Sequence, residues 1–184
     1  MAALEALALN PVVIPSDCAS HAAVSAEALR LAQAANDDWL FCEDDIVPHP
    51  RFHEALGLAA RGKQVTYLYL HETLGMNLWY PAELQAAIAA REPITPSRVR
   101  LRDASGLCNA QCVYIPARAV RQMMPTALLE WNRSFDIYLE QFLRDTRRHA
   151  YAVVPNAAQH TEDRTGRPTG RTGRKRSLSF DLWR

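Results

Sequence analysis

Strand-like and helix-like hydrophobic patterns alternate along the chain. Five short stretches are rich in β-branched and aromatic residues and are bounded by proline, glycine or polar residues, which is typical of strands. Five longer stretches repeat apolar residues every three or four positions, which is typical of helices. The predicted strands are 11–15, 38–44, 64–71, 110–116 and 149–155, and the predicted helices are 25–35, 49–62, 80–92, 117–129 and 135–146. This alternation favours an α/β fold, a three-layer sandwich with a mainly parallel sheet.

Two residues are expected to set helix limits. Ser25 is a candidate N-cap for the helix 25–35, because its hydroxyl can accept a hydrogen bond from a nearby backbone N–H. Pro125 lies inside the helix 117–129 and has no backbone N–H to donate. We therefore expect that helix to be interrupted or kinked at Pro125.

Length and composition fit one globular domain. The chain has 184 residues, nearly half of them apolar, and no apolar run approaches the roughly 20 residues that cross a bilayer. The first 13 residues lack the basic segment and cleavage site of a secretory signal, which predicts a cytoplasmic protein. Four cysteines, Cys18, Cys42, Cys108 and Cys112, show no dense spacing pattern. We interpret them as reduced thiols rather than as a zinc site or a disulfide framework.

Charge is distributed unevenly along the chain. Residues 161–184 carry seven Lys or Arg against three acids, although the net charge of the whole chain is +1. The segment 164–176 contains no apolar side chain, so it cannot pack a core of its own. We expect a folded domain over 1–163, followed by a basic flexible arm and a docking segment over 164–184. The basic charge suits a phosphate-bearing ligand, or it is simply a solvated stretch of chain.

Three consecutive acids lie at the carboxyl end of the second predicted strand. Glu43, Asp44 and Asp45 come directly after the hydrophobic run 39–42. Ligands of α/β folds bind outside the carboxyl ends of the strands. Adjacent carboxylates at such an end favour a hard cation with oxygen ligands, Mg²⁺ or Mn²⁺. The alternative is that these acids belong to an ordinary turn ahead of Pro48.

The setting of this acidic triplet resembles a known family. A helix of small residues, the run WLFCEDDI at 39–46, a proline and then FHEAL at 52–56 resemble the metal-binding segment of GT-A fold glycosyltransferases. The resemblance is to the bacterial and phage enzymes of the family 2 and family 25 type. Their aspartate-any-aspartate motif corresponds here to Glu43, Asp44 and Asp45. The resemblance implies that Asp45 binds Mn²⁺ or Mg²⁺ on the donor diphosphate, with Glu43 toward the donor ribose and Asp44 toward the donor sugar.

A second segment resembles the part of these enzymes that closes the donor-sugar pocket. Residues 106–124 begin with a glycine-led loop that enters a predicted strand and then a predicted helix. The resemblance implies sugar contacts from Gly106, Asn109 and Gln111. From the residues alone, each of the three also fits ordinary loop chemistry.

A third segment, SFDIYLEQFL at 134–143, resembles the acidic helix start that supplies the catalytic base in inverting members of the family. The family's Glu-Asp pair corresponds to Phe135 and Asp136. The resemblance therefore implies that Asp136 is the catalytic base. The alternative is a helix N-terminal acid that the helix dipole stabilises by ~0.3–1 kcal/mol.

A fourth segment, 153–164, resembles the family stretch whose histidine closes the metal site. The resemblance implies that His160 is a metal ligand, whereas an isolated loop histidine is more often just solvated. Arg164, Arg167 and Arg171 would then fold over the diphosphate as a lid.

One departure from the family concerns the beginning of the chain. The family fold opens with a strand and a helix that hold the nucleotide base, whereas 11–15 resembles its second strand and only ten residues precede it. We therefore expect a GT-A-like domain that is short at its N-terminus. The nucleotide pocket is reduced, or the chain begins late, or another subunit completes the pocket.

The resemblance as a whole predicts a hexosyltransferase-like enzyme. It would move a sugar from a nucleotide-diphosphate donor, with UDP-sugars favoured, to an acceptor hydroxyl with inversion of configuration. The acceptor is a glycan, a protein or a modified nucleic acid.

Two other functions remain open from the sequence. A metal-dependent nuclease or phosphoesterase uses two metals about 3.5–4 Å apart, which requires a second acidic cluster. Glu162 and Asp163 are the candidates for that cluster. A non-catalytic nucleotide-sugar-binding module is the other possibility, and the short N-terminus suggests it.

Overall fold

The computed structural model describes residues 12, 14, 20–43, 46–71, 79–102, 111–132, 134–160 and 177–184. Helices and strands alternate within this part of the chain. The helices are α1 (His21–Ala35), α2 (Phe52–Gly62), α3 (Ala82–Ala90), α4 (Ala117–Val120), α5 (Pro125–Trp131) and α6 (Phe135–Asp145). The strands are β1 (Trp39–Cys42), β2 (Ile46–Pro48), β3 (Thr66–Tyr67), β4 (Ser97–Arg100), β5 (Cys112–Ile115), β6 (Tyr151–Val154) and β7 (Ala158–His160).

Five strands form the main sheet, in the order β1-β5-β3-β6-β4. β5 is antiparallel to both of its neighbours, β4 is antiparallel to β6, and β3 is parallel to β6. The mixed α/β structure is confirmed, but the prediction of a mainly parallel sheet is wrong. Hydrophobic patterns locate strands without giving their direction, because side chains alternate with a period of two in both kinds of sheet.

Three strands nevertheless run in the same direction. β5 is antiparallel to both β1 and β3, so β1 and β3 point the same way, and β6 follows β3. The carboxyl ends of β1, β3 and β6 therefore meet at one edge of the sheet, together with the amino end of β5. We call this the carboxyl edge, and its strand residues are Cys42, Tyr67, Val154 and Cys112.

Apolar clusters cover both faces of the main sheet. Val113 and Ile115 of β5 pack into a cluster with residues of α1, α3, α5 and α6. Cys112 and Tyr114 point the other way, into a cluster with residues of α2. We call these the α6 face and the α2 face. The strict alternation along β5 shows that both sides of this strand are core, as its continuous hydrophobic run indicates.

Two helix boundaries show how local chemistry sets the elements. α1 begins earlier than predicted, because Ser20 is its N-cap and accepts a hydrogen bond from Ala23 N at 3.2 Å. Ser25, the predicted cap, is buried inside the helix. The predicted interruption at Pro125 is confirmed, since α4 ends at Val120 and α5 begins with the proline. A proline in the first helical position sacrifices no hydrogen bond.

A second, two-stranded sheet joins β2 and β7, which the pattern analysis did not separate from their loops. The strands are antiparallel, with Ile46 opposite His160 and Pro48 opposite Ala158. Strands of three residues are too short for a period of two to stand out. Conversely, only two residues of the predicted strand 64–71, Thr66 and Tyr67, form a strand. The chain after Tyr67 is buried but does not continue the strand pairing.

The last eight residues of the chain pack against the domain. Trp183 forms a parallel β-bridge with Ile94, and Leu182 is buried. The ring of His49 stacks on that of Trp183 with centroids 4.9 Å apart, and the Arg51 guanidinium lies 5.2 Å from the same ring. In the described ranges, no helix combines the length and apolarity needed to cross a membrane.

A fully buried asparagine connects this C-terminal segment to the sheet. Asn156 Oδ1 accepts from Leu70 N at 3.2 Å, while Nδ2 donates to Leu70 O at 2.8 Å and to Ser177 Oγ at 2.7 Å. The Asn156 backbone N–H donates to Ser179 Oγ at 2.9 Å, and its carbonyl accepts from Trp183 Nε1 at 3.0 Å. One residue therefore joins the segment after β3, the segment after β6 and the C-terminus.

We expect Asn156→Ala to lower the free energy of unfolding by ~2–4 kcal/mol, because it leaves the N–H and C=O of Leu70 buried without partners. Denaturant unfolding measures this loss, and hydrogen exchange should show faster exchange in 177–184. The control is Asn132→Gly at the exposed left-handed C-cap of α5, which should change stability by less than ~0.5 kcal/mol. An Asn156→Ala protein as stable as the wild type would contradict the role of this amide.

Candidate functional site

The first acid of the triplet continues the ladder between β1 and β5. Glu43 N donates to Gln111 O at 2.8 Å, one position beyond the last strand pair. Because strand side chains alternate, Glu43 and Gln111 fall on the same face as Phe41 and Val113, which is the α6 face. The structure thus brings Glu43 beside Gln111 at the carboxyl edge.

Gln111 carries a buried acceptor that has no hydrogen-bond donor among the described residues. Its residue is 7% exposed, and no donor among the described residues reaches Oε1. Leaving such an oxygen unpaired costs ~1–3 kcal/mol, so a buried group of this kind requires an explanation. Its position at the carboxyl edge favours a ligand hydroxyl or N–H as the missing donor.

The start of α6 lies against β1 on the same face. The ring of Phe135 is 4.4 Å from that of Phe41, centroid to centroid. Asp136 follows in the first turn, where its Oδ1 accepts from Ser134 Oγ and from Ile137 N, the latter at 2.8 Å. Both bonds engage the same oxygen and hold the carboxylate in one orientation. Neither bond uses Oδ2.

The second sheet returns the chain to the acidic triplet. β2 begins at Ile46, the residue after Asp45, and Ile46 pairs with His160. Directly opposed Cα atoms in antiparallel strands are about 4.5–5.5 Å apart. The backbone of His160 therefore lies across from the residue that follows the triplet, although 114 positions separate the two residues in sequence (160 − 46).

The residues on either side of the basic segment are in contact. Ser177 N donates to Gln159 Oε1 at 3.0 Å, and Gln159 immediately precedes His160. Residues 161–176 therefore connect two points that lie side by side next to β7.

Two cysteines lie on the opposite face of the same edge. Cys42 and Cys112 are free thiols whose Sγ atoms are 3.4 Å apart. Burial raises the pKa of the Cys112 thiol well above its usual range, and the neighbouring Cys42 thiol raises it further. Cys18 and Cys108 lie outside the described residues.

Several predicted contact residues fall outside the described ranges. These are Asp44, Asp45, Gly106, Asn109, Arg164, Arg167 and Arg171, as well as residues 11, 13 and 15 of the predicted strand 11–15. Of His160, the backbone is described but not the side chain. Within the part of the chain that is described, no group of three or more His, Cys, Asp or Glu side chains is arranged to hold a metal ion. This statement does not cover Asp45 or the side chain of His160, the expected metal ligands, because neither is described.

Sequence reasoning missed two features of this region. The structural role of Asn156 is one, because a polar residue after a strand is as typical of an exposed loop as of a buried junction. The other is the contact between Cys42 and Cys112, which depends on strand register. A cysteine at each of two strand ends is the signal that could have suggested the pairing.

The chain has no counterpart in the comparisons with known proteins. No protein-family model, curated protein or solved structure matches it. Functional inference therefore rests on the residues and on their placement at the carboxyl edge.

We expect Gln111→Met to leave the free energy of unfolding unchanged or to raise it by up to ~1 kcal/mol, since it removes an unpaired buried oxygen at similar volume. The matched control is Gln33→Met. Gln33 Nε2 donates to Val120 O at 3.0 Å and to Met123 O at 2.8 Å, so its loss should cost ~1–2 kcal/mol. Denaturant unfolding compares the two variants. An equal loss in both would show that Gln111 serves the structure instead.

Proposed function

We propose that the protein is a metal-dependent glycosyltransferase with a GT-A-like three-layer fold. It would transfer a hexose from a nucleotide-diphosphate donor, with UDP-sugars favoured, to an acceptor hydroxyl. The register of the second sheet carries this proposal, because it sets the backbone of His160 opposite Ile46, directly after Asp45. The two sequence segments from which the resemblance implies the metal ligands Asp45 and His160 are therefore neighbours in the second sheet, which supports the proposal.

Asp45 and His160 would hold the metal ion, Mn²⁺ or Mg²⁺. When bound, the ion supplies positive charge that neutralises the departing diphosphate. Glu43 would orient the donor ribose, and Asp44 the donor sugar. The ladder bond from Glu43 N to Gln111 O supports this arrangement, since it fixes the start of the triplet against β5.

Gln111 would bind the donor sugar through its unpaired Oε1. A sugar hydroxyl is a neutral donor of the right kind for a buried amide oxygen. Because the site is buried, an analogue that lacks this hydroxyl leaves the amide unpaired and should bind less well. Gly106 and Asn109, which precede it in the chain, would complete this side of the sugar pocket.

Asp136 would act as the catalytic base. Ser134 and Ile137 hold its Oδ1, so Oδ2 can take the proton of the acceptor hydroxyl. That hydroxyl then attacks the anomeric carbon from the face opposite the diphosphate, which inverts the configuration. A positioned base contributes ~10²–10⁴-fold to the rate.

Arg164, Arg167 and Arg171 would bind the diphosphate from the basic segment. Guanidinium groups form charge-assisted, often bidentate hydrogen bonds with phosphate oxygens. The contact between Ser177 and Gln159 supports this role, because it holds the residue that follows the segment against the residue that precedes His160. The acceptor could be a glycan, a protein or a modified nucleic acid.

The proposal is tested with a panel of nucleotide sugars in the presence of Mn²⁺. We expect calorimetry to show Mn²⁺-dependent binding of UDP or a UDP-sugar, and prolonged incubation to release nucleoside diphosphate by transfer or slow hydrolysis. Metal-dependent cleavage of DNA without nucleotide binding would identify a nuclease instead. Binding without any release of nucleoside diphosphate would identify a non-catalytic module.

Variants of two acids make this test specific to the triplet. Asp45→Asn should abolish the Mn²⁺-dependent part of the affinity while the melting temperature of the metal-free protein is retained. Asp37→Asn is the matched control, because Asp37 is an exposed acid near the amino end of β1. Unchanged Mn²⁺-dependent affinity in Asp45→Asn would remove the triplet from the proposal.

We expect His160→Ala to weaken Mn²⁺-dependent nucleotide binding at least tenfold, because it removes a metal ligand. Mutating a residue that only hydrogen-bonds to a metal ligand already lowers metal affinity ~10–100-fold. The melting temperature without metal should stay the same, because the pairing of β7 with β2 uses backbone groups. Gln159→Ala removes the neighbouring bond to Ser177 and serves as a control for disturbed packing. A destabilised His160→Ala protein that binds normally would make His160 a structural residue.

A further inference from the structure

Cys42 and Cys112 form a pair of thiols that the proposed function does not use. They are directly opposed in the β1–β5 pair, and their Sγ atoms are 3.4 Å apart. We propose that these two residues are a redox-active dithiol site, which closes reversibly to a disulfide by exchange with low-molecular-weight disulfides.

Strand geometry allows the bridge to form without moving the backbone far. Glu43 N donates to Gln111 O, so the residues next to them, Cys42 and Cys112, occupy a non-hydrogen-bonded position of the ladder. Opposed Cα atoms at such a position are about 4.5 Å apart, within the range of about 4.4–6.8 Å found across disulfides. Both side chains point to the α2 face, so the sulfurs only have to approach each other to about 2.05 Å.

Differential exposure sets the order of the chemistry. Cys112 is completely buried, whereas Cys42 is partly exposed. An external disulfide can therefore reach Cys42 first and cannot reach Cys112 directly.

Two exchange steps close the bridge. The Cys42 thiolate attacks one sulfur of the external disulfide, forms a mixed disulfide and expels one thiolate. The Cys112 thiol then loses its proton and attacks the Cys42 sulfur, which forms the Cys42–Cys112 bond and expels the second thiolate. The two protein thiols lose two electrons and two protons, and the external disulfide is reduced to two thiols.

The site lies beside the residues of the carboxyl edge. Cys42 immediately precedes Glu43, and Cys112 immediately follows Gln111. A bridge would tie β1 to β5 covalently at this edge, across a separation of 70 positions in sequence. The inference does not depend on the proposed glycosyltransferase activity, because it uses only the position and exposure of the two thiols.

The test uses the full chain with Cys18→Ser and Cys108→Ser, so that the pair contributes the only thiols. The reduced protein is equilibrated in glutathione buffers of increasing disulfide content, quenched with acid, alkylated and digested. We expect mass spectrometry to find the peptides of Cys42 and Cys112 joined, with the loss of two hydrogens, and to find them separate again after reduction. Circular dichroism checks that the fold persists in both states.

Two variants in this background separate the steps. With Cys112→Ala, a mixed disulfide with glutathione should accumulate on Cys42, because the resolving thiol is missing. With Cys42→Ala, the buried Cys112 should stay unmodified in the folded protein and react once urea unfolds it. The parent protein needs neither core substitution, so the main result does not depend on whether Cys112→Ala folds.

In the background with Cys18→Ser and Cys108→Ser, two results would overturn the inference. One is a mixed disulfide that persists on Cys42 while Cys112 is present. The other is a pair that remains reduced in a buffer that fully oxidises the unfolded chain. In the wild-type chain, a bridge between Cys108 and Cys112 in place of Cys42–Cys112 would also overturn it.

Discussion

The buried amide of Asn156 replaces backbone hydrogen bonds at the point where the main sheet ends. It bonds to both backbone groups of Leu70, much as a neighbouring strand would, and uses its remaining donor on Ser177. A buried polar group without a partner lowers the free energy of unfolding by ~1–3 kcal/mol. The stability of this region therefore depends on all of these partners being in place. The segment after β3 and the C-terminal residues therefore depend on the same side chain.

The second sheet follows from this junction. Next to Asn156, Ala157 N donates to Leu68 O at 2.8 Å, and Ala157 O accepts from His49 N at 2.8 Å. These bonds join the chain between β6 and β7 to two other segments, the one after β3 and the one after β2. The pairing of β2 with β7, which sets His160 across from Ile46, therefore continues directly from the bonds made by Asn156 and Ala157. The candidate site combines residues that are far apart in sequence, so it needs such a connection. Strands of three residues pair only weakly on their own.

Two amides at the carboxyl edge show contrasting energetics. Asn156 is fully buried and fully paired, which is what stability requires, whereas buried Gln111 keeps Oε1 without a donor among the described residues. Functional sites commonly retain polar groups that lower the stability of the free protein, and the surrounding structure compensates for them. On this interpretation Asn156 supports the edge, and Gln111 is the part of it that remains available to a ligand.

Local patterns in the sequence determined the amphipathic α6, the break at Pro125 and the strand that ends just before Glu43, because periodicity and proline geometry act over a few residues. The candidate roles of Glu43, Asp136 and His160 came from the resemblance of their segments to GT-A fold glycosyltransferases. Strand direction, the junction at Asn156 and the pairs Glu43–Gln111, Cys42–Cys112 and Ile46–His160 were decided by the tertiary structure. Each of those pairs joins residues far apart in sequence. The hydrophobic pattern of a strand indicates which of its faces is buried. Its direction and register depend on the partner strand, because the hydrogen bonds that fix them form only when the two strands pair.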